Sequence, residues 1–344
     1  MRTGQNPAKM GLPAYQPKKL GLALLSLIPS RDGYFAQSLD VLKYQIASIH
    51  VSTTDFDLLV FDNGSCEEVQ DGLRCLQAIG LIHYLVLSGY NLGKTGALNW
   101  ILASLPNELI GFADGDVLFR PGWLEETLKI RQSFPQAGLI SAQPCFFDIL
   151  RGTGRAALSL THDPNFRVTD EILAQAVIDE YCHGIGLSSD QIEGLRKTPS
   201  QVVEAVSQGV RAVVGATHMQ FVMPREVARR VIPLPASLAL SRDEDAWLNK
   251  NVDSTGFLHL STLTPYVYHM GNQLDETILS EIRRMDLDSI LESTPARKIV
   301  PDVEGGRFKR FVFRCLHFLS KIPAFKTALQ RLYNLLFVFF SQPK

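Results

Sequence analysis

Asp114 and Asp116 are separated by one glycine at the end of an apolar run, within FADGDVLFRPGW at 112–123. Alternate residues of an extended chain face the same side, so both carboxylates can point into one crevice. Hard divalent cations prefer oxygen ligands, and Mg2+ is typically held by one or two carboxylates together with substrate phosphates. Taken alone, Asp-Gly is also ordinary turn chemistry. Asp62 closes a second apolar run as Asp-Asn-Gly-Ser, where a carboxylate can accept hydrogen bonds from a base or a ribose. Asn91-Leu-Gly93-Lys94-Thr-Gly96-Ala-Leu-Asn99 reads as a glycine-lined start of a helix with a lysine. Such a place favours an anion or a closely approaching ring. Asp243, Glu244 and Asp245 stand in a row, and one of them can serve as a general base toward an acceptor hydroxyl. An acidic helix N-terminus is the competing reading. His269, in Tyr-His-Met-Gly-Asn at 268–272, can ligate a divalent metal as neutral imidazole.

These groups need elements that bring them together. Strand-like runs at 20–28, 57–62, 82–88 and 108–114 alternate with helix-like segments at 34–49, 67–79 and 94–105. The first helix is read with its inner stripe at 38, 41, 42, 45, 46 and 49. This β-α alternation predicts a mostly parallel sheet covered by helices, with its site at the carboxyl ends of the strands. The polar stops agree: PSRD, DNGS, SGYNLG and DGD follow the four strands in turn. Residues 121–134 read as a helix and 137–147 as a strand. The segment 151–210 reads as an inserted, mainly helical piece without chemistry of its own. Its RGTGR at 151–155 lacks the lysine-hydroxyl pair of a phosphate loop, and Cys182-His183 reads as ordinary packing. Residues 213–231 read as strand, turn and helix, and 257–272 as one strand-like run before an acidic helix.

The chain has 344 residues, 46% hydrophobic and 20% charged, with a net charge of −1. That excludes disordered and collagen-like classes. Eight of its 34 basic residues fall between 307 and 344, where there is no Asp or Glu; the 26 others face 35 acids, a net of −9. Within this tail, apolar residues at 308, 311, 312, 315, 316, 319 and 322, and again from 325 after Pro323, form helical stripes. A basic amphipathic helix pair over 307–340 is expected to lie on an anionic membrane surface, capping of the core being the alternative. The five cysteines (66, 75, 145, 182, 315) form no CxxC and no disulfide framework, which suits a reducing compartment. Lys18-Lys19 before LGLALLSLI has a signal-peptide look, but Pro29, Ser30, Arg31 and Asp32 follow in place of a cleavage site, and a first buried strand is expected. Residues 1–17 read as a loose leader, 18–300 as the main domain and 301–344 as the tail.

The series IPSRD (28–32), DNGS (62–65), NLGKTGALN (91–99), DGD (114–116), DEDAWL (243–248) and YHMGN (268–272) resembles glycosyltransferase family 2. The resemblance implies an α/β GT-A fold with a mostly parallel Rossmann-like sheet, and an inverting transfer of sugar from a UDP-sugar or related donor. It implies that Pro29, Ser30, Arg31, Asp32 and Asp62 line the base and ribose, with Gly93, Lys94 and Gly96 bordering that pocket. Asp114 would reach the ribose or the metal, while Asp116, with His269, would hold Mn2+ or Mg2+. Asp245 would be the catalytic base, with Glu244 and Asp243 next in order. The family's I-P-x-Y-N stands here as I-P-S-R-D, so Arg31 and Asp32 depart from its pattern. Together with the tail, the resemblance leads us to expect a lipid-linked glycan or polysaccharide-precursor acceptor, at the inner face of a membrane and in contact with the cytoplasm, and no nucleic-acid partner. The rival readings are a sugar nucleotidyltransferase, for which no glycine-rich opening loop is present near residue 30, and a catalytically silent membrane-surface protein, which would have no use for the carboxylates.

Overall fold

The computed structural model describes residues 15–146, 154–235 and 244–293, with backbone alone for 244–246 and 293. The first half follows the alternation of the sequence. The runs LGLALLS and FDLLVFD form β1 (Leu20–Ser26) and β2 (Phe56–Asp62), joined through α1 (Ser38–Ser52). A 3-10 turn at Gly33–Phe35 takes the residues expected to open α1. Then come α2 (Glu67–Ala78), β3 (Tyr84–Leu87), α3 (Gly93–Ser104) and β4 (Leu109–Asp114). β1 and β2 are apolar at nearly every position because both faces of the sheet are covered. Leu22 and Leu24 pack with Leu42, Ile46 and Ile49 of α1, whereas Ala23 packs with Leu98 and Ile101 of α3 on the other face. Each such leucine contributes roughly 1.5–3 kcal/mol by burial.

After β4 the chain forms β5 (Val117–Phe119), α4 (Trp123–Ser133) and β6 (Ala137–Ser141). The segment expected to be helical holds α5 (Gln175–Ile185) and α6 (Ser189–Lys197), but also β7 (Phe166–Glu171) and β8 (Ser200–Ala205). These two strands pair antiparallel from Phe166 opposite Ala205 to Glu171 opposite Ser200. β7 is an edge strand with half-exposed polar residues, so it lacks the apolar run that marked the earlier strands. β9 (Val210–Val214), β10 (Gln220–Pro224), α7 (Arg225–Val231) and α8 (Glu244–Ser254) follow. The single run expected at 257–272 is two strands, β11 (Leu258–Ser261) and β12 (Val267–His269), in different sheets. Pro265, which has no N–H to give a ladder, stands in the break between them. α9 (Glu276–Met285) and α10 (Leu287–Ser293) complete the described chain.

The main sheet has the order β3-β2-β1-β4-β10-β6-β11-β9-β8-β7. Its first four strands are parallel; β10 enters antiparallel between β4 and β6, and β6 pairs parallel with β11. β5 and β12 form a separate antiparallel ribbon, with His269 opposite Val117. Among the described residues no helix is long and apolar enough to cross a membrane. The basic tail at 307–340 and most of the leader lie outside the described residues.

Candidate active site

The parallel register sets Ser26 beside Asp62 and Leu25 beside Asp114. β1 has β2 on one side and β4 on the other, and the connections after β1 and β3 cover opposite faces. A crevice opens at the carboxyl ends of strands where the order reverses in this way.

On the β2 side, Asp62 is fully buried. Its Oδ2 accepts from the Ser65 N–H at 3.1 Å and from Gln70 Nε2 at 3.3 Å, while its shielded Oδ1 has no partner. Ser65 Oγ in turn accepts from the Ile28 N–H at 2.8 Å, which ties DNGS to the end of β1. Asn63 accepts from the Leu92 N–H at 2.9 Å and donates to Asn91 Oδ1 at 3.0 Å, fixing the loop before α3. Gly64 has φ +97 and lies against the backbone of Tyr90 and Asn91, a conformation and an approach that favour glycine.

On the β4 side the two carboxylates separate. Asp114 Oδ2 accepts from Lys94 Nζ at 2.9 Å, and the Asp114 carbonyl accepts from Gln45 Nε2 at 2.6 Å. Asp116 Oδ2 faces His269 Nε2 at 3.3 Å, and its Oδ1 is shielded from solvent without a partner. Burial pushes the Asp116 carboxyl above its usual range, with His269 opposing that shift and Asp114 adding to it. The Asp116 carbonyl accepts from the Met270 N–H at 2.8 Å, so the ribbon register itself sets the histidine beside the acid. His269 Nδ1 lies 2.7 Å from the Gly184 carbonyl. A carbonyl only accepts; Nδ1 therefore carries a proton, and the Nε2 edge of the ring is turned to Asp116. Gly115 is needed for space rather than torsion: a Cβ there would sit 3.0 Å from the Leu25 carbonyl oxygen.

Asp114, Asp116 and His269 line a cleft of about 200 Å³ together with Ile28, Tyr34 and Asn272. Asn272 Nδ2 donates to the Tyr34 carbonyl at 2.7 Å, bridging the loops on its two sides. Among the described residues no three His, Cys, Asp or Glu side chains converge to hold a metal by themselves. Asp116 and His269 supply two ligands of suitable chemistry, one a shielded oxygen without a donor, and a diphosphate and water would supply the rest.

Of the residues expected at the donor, Asp62, Gly93, Lys94 and Asp114 are joined through strand register, Asn63 and the Lys94–Asp114 ion pair. Gly96 lies further into α3, within its first turn. Pro29, Ser30, Arg31 and Asp32 are not among the residues lining the cleft; Ile28, Tyr34 and Phe35 are. Ser30 Oγ donates to Asp32 Oδ1 at 2.5 Å instead. Glu244 and Asp245 open α8, and their side chains lie outside the described residues, as does Asp243. Sequence reasoning passed over Gln45, read as part of an apolar stripe, although its residue type already marked it as polar. It also passed over Gly184, Tyr268 and Arg120. Tyr268 is buried and its phenol is pushed up to about 12, chiefly by burial and then by Asp275 and Glu180.

Paired acids thus stand at the parallel strand ends of a mixed α/β sheet, and a histidine is delivered to them from a separate ribbon. The model of the family described as Glycosyl transferase family 2 matches residues 33–193. No curated protein sequence matches the chain. Solved structures are similar at low identity, two of them as follows. One is a mannosyltransferase from Pyrobaculum calidifontis in complex with GDP-Man and Mn2+, at 11% identity and TM-score 0.46, covering 91% of this chain and 83% of that one. The other is GalNAc-T7 with UDP, GalNAc and Mn2+, at 12% identity and TM-score 0.43, covering 78% of this chain and 48% of that one.

Proposed function

We propose that the protein is an inverting glycosyltransferase that moves a sugar from a nucleoside diphosphate sugar, of the UDP-sugar class, to a hydroxyl acceptor. The observation that carries this reading is the pair of shielded carboxylate oxygens without donors, Asp62 Oδ1 at the end of β2 and Asp116 Oδ1 in the turn after β4, the two strands that flank β1. Buried acceptors without partners are costly and rare, which marks them as groups awaiting a ligand. Asp62 Oδ1 suits the imide N–H of a base such as uracil. Lys94 and Gln45 hold Asp114 at the ribose end, and Asp116 with His269 would hold Mn2+ or Mg2+ at the diphosphate. When bound, such a cation offsets charge on the departing diphosphate. Asp245, at the start of α8, takes the proton of the acceptor hydroxyl. The hydroxyl oxygen bonds to the anomeric carbon as the bond to the diphosphate breaks, and the nucleoside diphosphate leaves with the electron pair.

A panel of nucleotide-sugars with Mn2+ and a hydroxyl acceptor tests the assignment. Asp116→Asn is expected to lower transfer by about 10²–10³-fold, and Asp245→Asn by about 10²–10⁴-fold with donor binding retained. Full activity in excess chelator, a product that keeps the donor's anomeric configuration, or transfer of the nucleotidyl group would each overturn it.

We also propose that residues 307–340 hold the enzyme on an anionic membrane surface, where a lipid-linked glycan or polysaccharide precursor is within reach. Support comes from the eight basic residues and absence of acids between 307 and 344, combined with the helical apolar stripes. Full-length protein should float with anionic liposomes and the 1–306 truncation should not. Equal flotation of the two, or none by either, ends the proposal.

A further inference from the structure

We propose that the last turn of α5, through Gly184 and His183, is the element that orients His269, which makes the inserted segment part of the cation site. This rests on the reading of Asp116 and His269 as cation ligands.

Three contacts tie α5 to the ribbon that carries His269. The Gly184 carbonyl accepts from His269 Nδ1 at 2.7 Å, which turns Nε2 toward Asp116 Oδ2 at 3.3 Å. An imidazole nitrogen and a carboxylate oxygen turned toward each other are both suited to a cation placed between them. Metal-ligating histidines commonly have their other ring nitrogen fixed in this manner, by a carbonyl or carboxylate behind them. One residue back on each element, the Tyr268 hydroxyl and His183 Nδ1 are 2.5 Å apart. A turn earlier in α5, Glu180 Oε1 accepts from Arg120 Nη1 at 2.5 Å, and the Arg120 guanidinium lies over the Tyr268 ring at 5.7 Å. Arg120 follows β5 directly, and its own N–H donates to the Tyr266 carbonyl at 2.9 Å. α5 therefore grips both strands of the ribbon.

The fit depends on having no side chain at 184. A Cβ there would lie 3.2 Å from the His269 carbonyl oxygen and 3.4 Å from the His269 Cβ. Glycine weakens a helix interior, yet it stands at the point where α5 meets the histidine. The helix has its own anchor on its other side, where Ile178, Tyr181 and Cys182 pack with Leu195, Val202 and Val213. The backing of His269 is thus fixed independently of the ribbon it supports. Gly184 and His183 are positioning residues, and the Cys182-His183 pair has one member packed in that anchor and one turned to the site.

Two measurements on the full-length protein test this. Nitrogen-15 NMR of the His269 imidazole in cation-free protein should show a proton on Nδ1; an Nδ1 without a proton overturns the proposal. Mn2+ titration in the presence of UDP should show affinity weakened about 10–100-fold in Gly184→Val, with a smaller loss in Gly184→Ala. Tyr268→Phe, which keeps the buried ring, should also weaken Mn2+ binding and serves if Gly184→Val fails to fold. Wild-type Mn2+ affinity in folded Gly184→Val and Tyr268→Phe overturns the proposal alone. No Mn2+ binding by the wild type removes the cation site and the proposal with it.

Discussion

Asp62 and Asp116 each keep one carboxylate oxygen shielded and without a donor, while their other oxygens are engaged or faced. For Asp62 this gives a sharp expectation. Asp62→Asn keeps an oxygen for the Ser65 N–H and places an amide NH2 where the free oxygen stood, so a base N–H would meet a donor. A hydrogen bond to a charged acceptor is worth about 1.5–3 kcal/mol, or roughly 10–100-fold in affinity. UDP binding by calorimetry should weaken by that factor without a matching fall in melting temperature; unchanged affinity would remove Asp62 from the donor site. At this scale the sequence was readable where a residue's type announced its chemistry, as in DNGS and DGD. It did not distinguish Asp114 from Asp116, because the difference lies in which cationic or imidazole group each meets. Lys94 arrives from α3 and His269 from β12, and neither meeting follows from spacing along the chain.

Elements place these groups by register, and Gly115 shows how little slack there is. With a Cβ only 3.0 Å from the Leu25 carbonyl, Gly115→Ala must part the end of β4 from β1. Overpacking of this kind costs about 1–3 kcal/mol. Thermal melting should reveal that loss, together with a fall in transfer rate as Asp116 moves off its partner; an unchanged melting temperature would mean the junction yields freely. The strands and helices from 20 to 114 were legible because continuous apolar runs, helical periodicity and polar stops all agreed. The run at 257–272 was not: two short apolar stretches look like one when only composition is read, and Pro265 between them was the signal of the break. β7 was missed for the opposite reason, since a half-exposed edge strand such as FRVTDE carries mixed polarity that a helix also tolerates.

At the scale of the molecule, the sheet is buried well beyond the site, and one titrating group reports on it. His50, at the end of α1, has Nε2 2.8 Å from the Leu81 carbonyl, and burial holds its pKa below the ordinary value, with that carbonyl opposing the shift. The folded state therefore resists protonating His50 while the unfolded state accepts the proton near pH 6.5. The stability contributed by neutral His50 is present above that pH and declines as pH falls below it toward the depressed folded value. His50→Gln keeps a donor for Leu81 and cannot titrate, so its melting temperature should fall less between pH 7 and pH 5 than that of the wild type. Parallel profiles for the two proteins would contradict this.

The sequence by itself determined the alternation of β1 through β4, the crevice at their carboxyl ends and the acids that stand there, because local periodicity and strand-end chemistry are written in consecutive residues. It also supplied the family resemblance that the match over 33–193 bears out. The tertiary structure alone decided that Asp114 goes to Lys94 and Asp116 to His269, that Gln45 supports the first, and that α5 stands behind the histidine. Those pairings join residues 20 to 153 positions apart, and only the packing of helices and ribbon against a sheet of fixed register brings them within hydrogen-bonding distance.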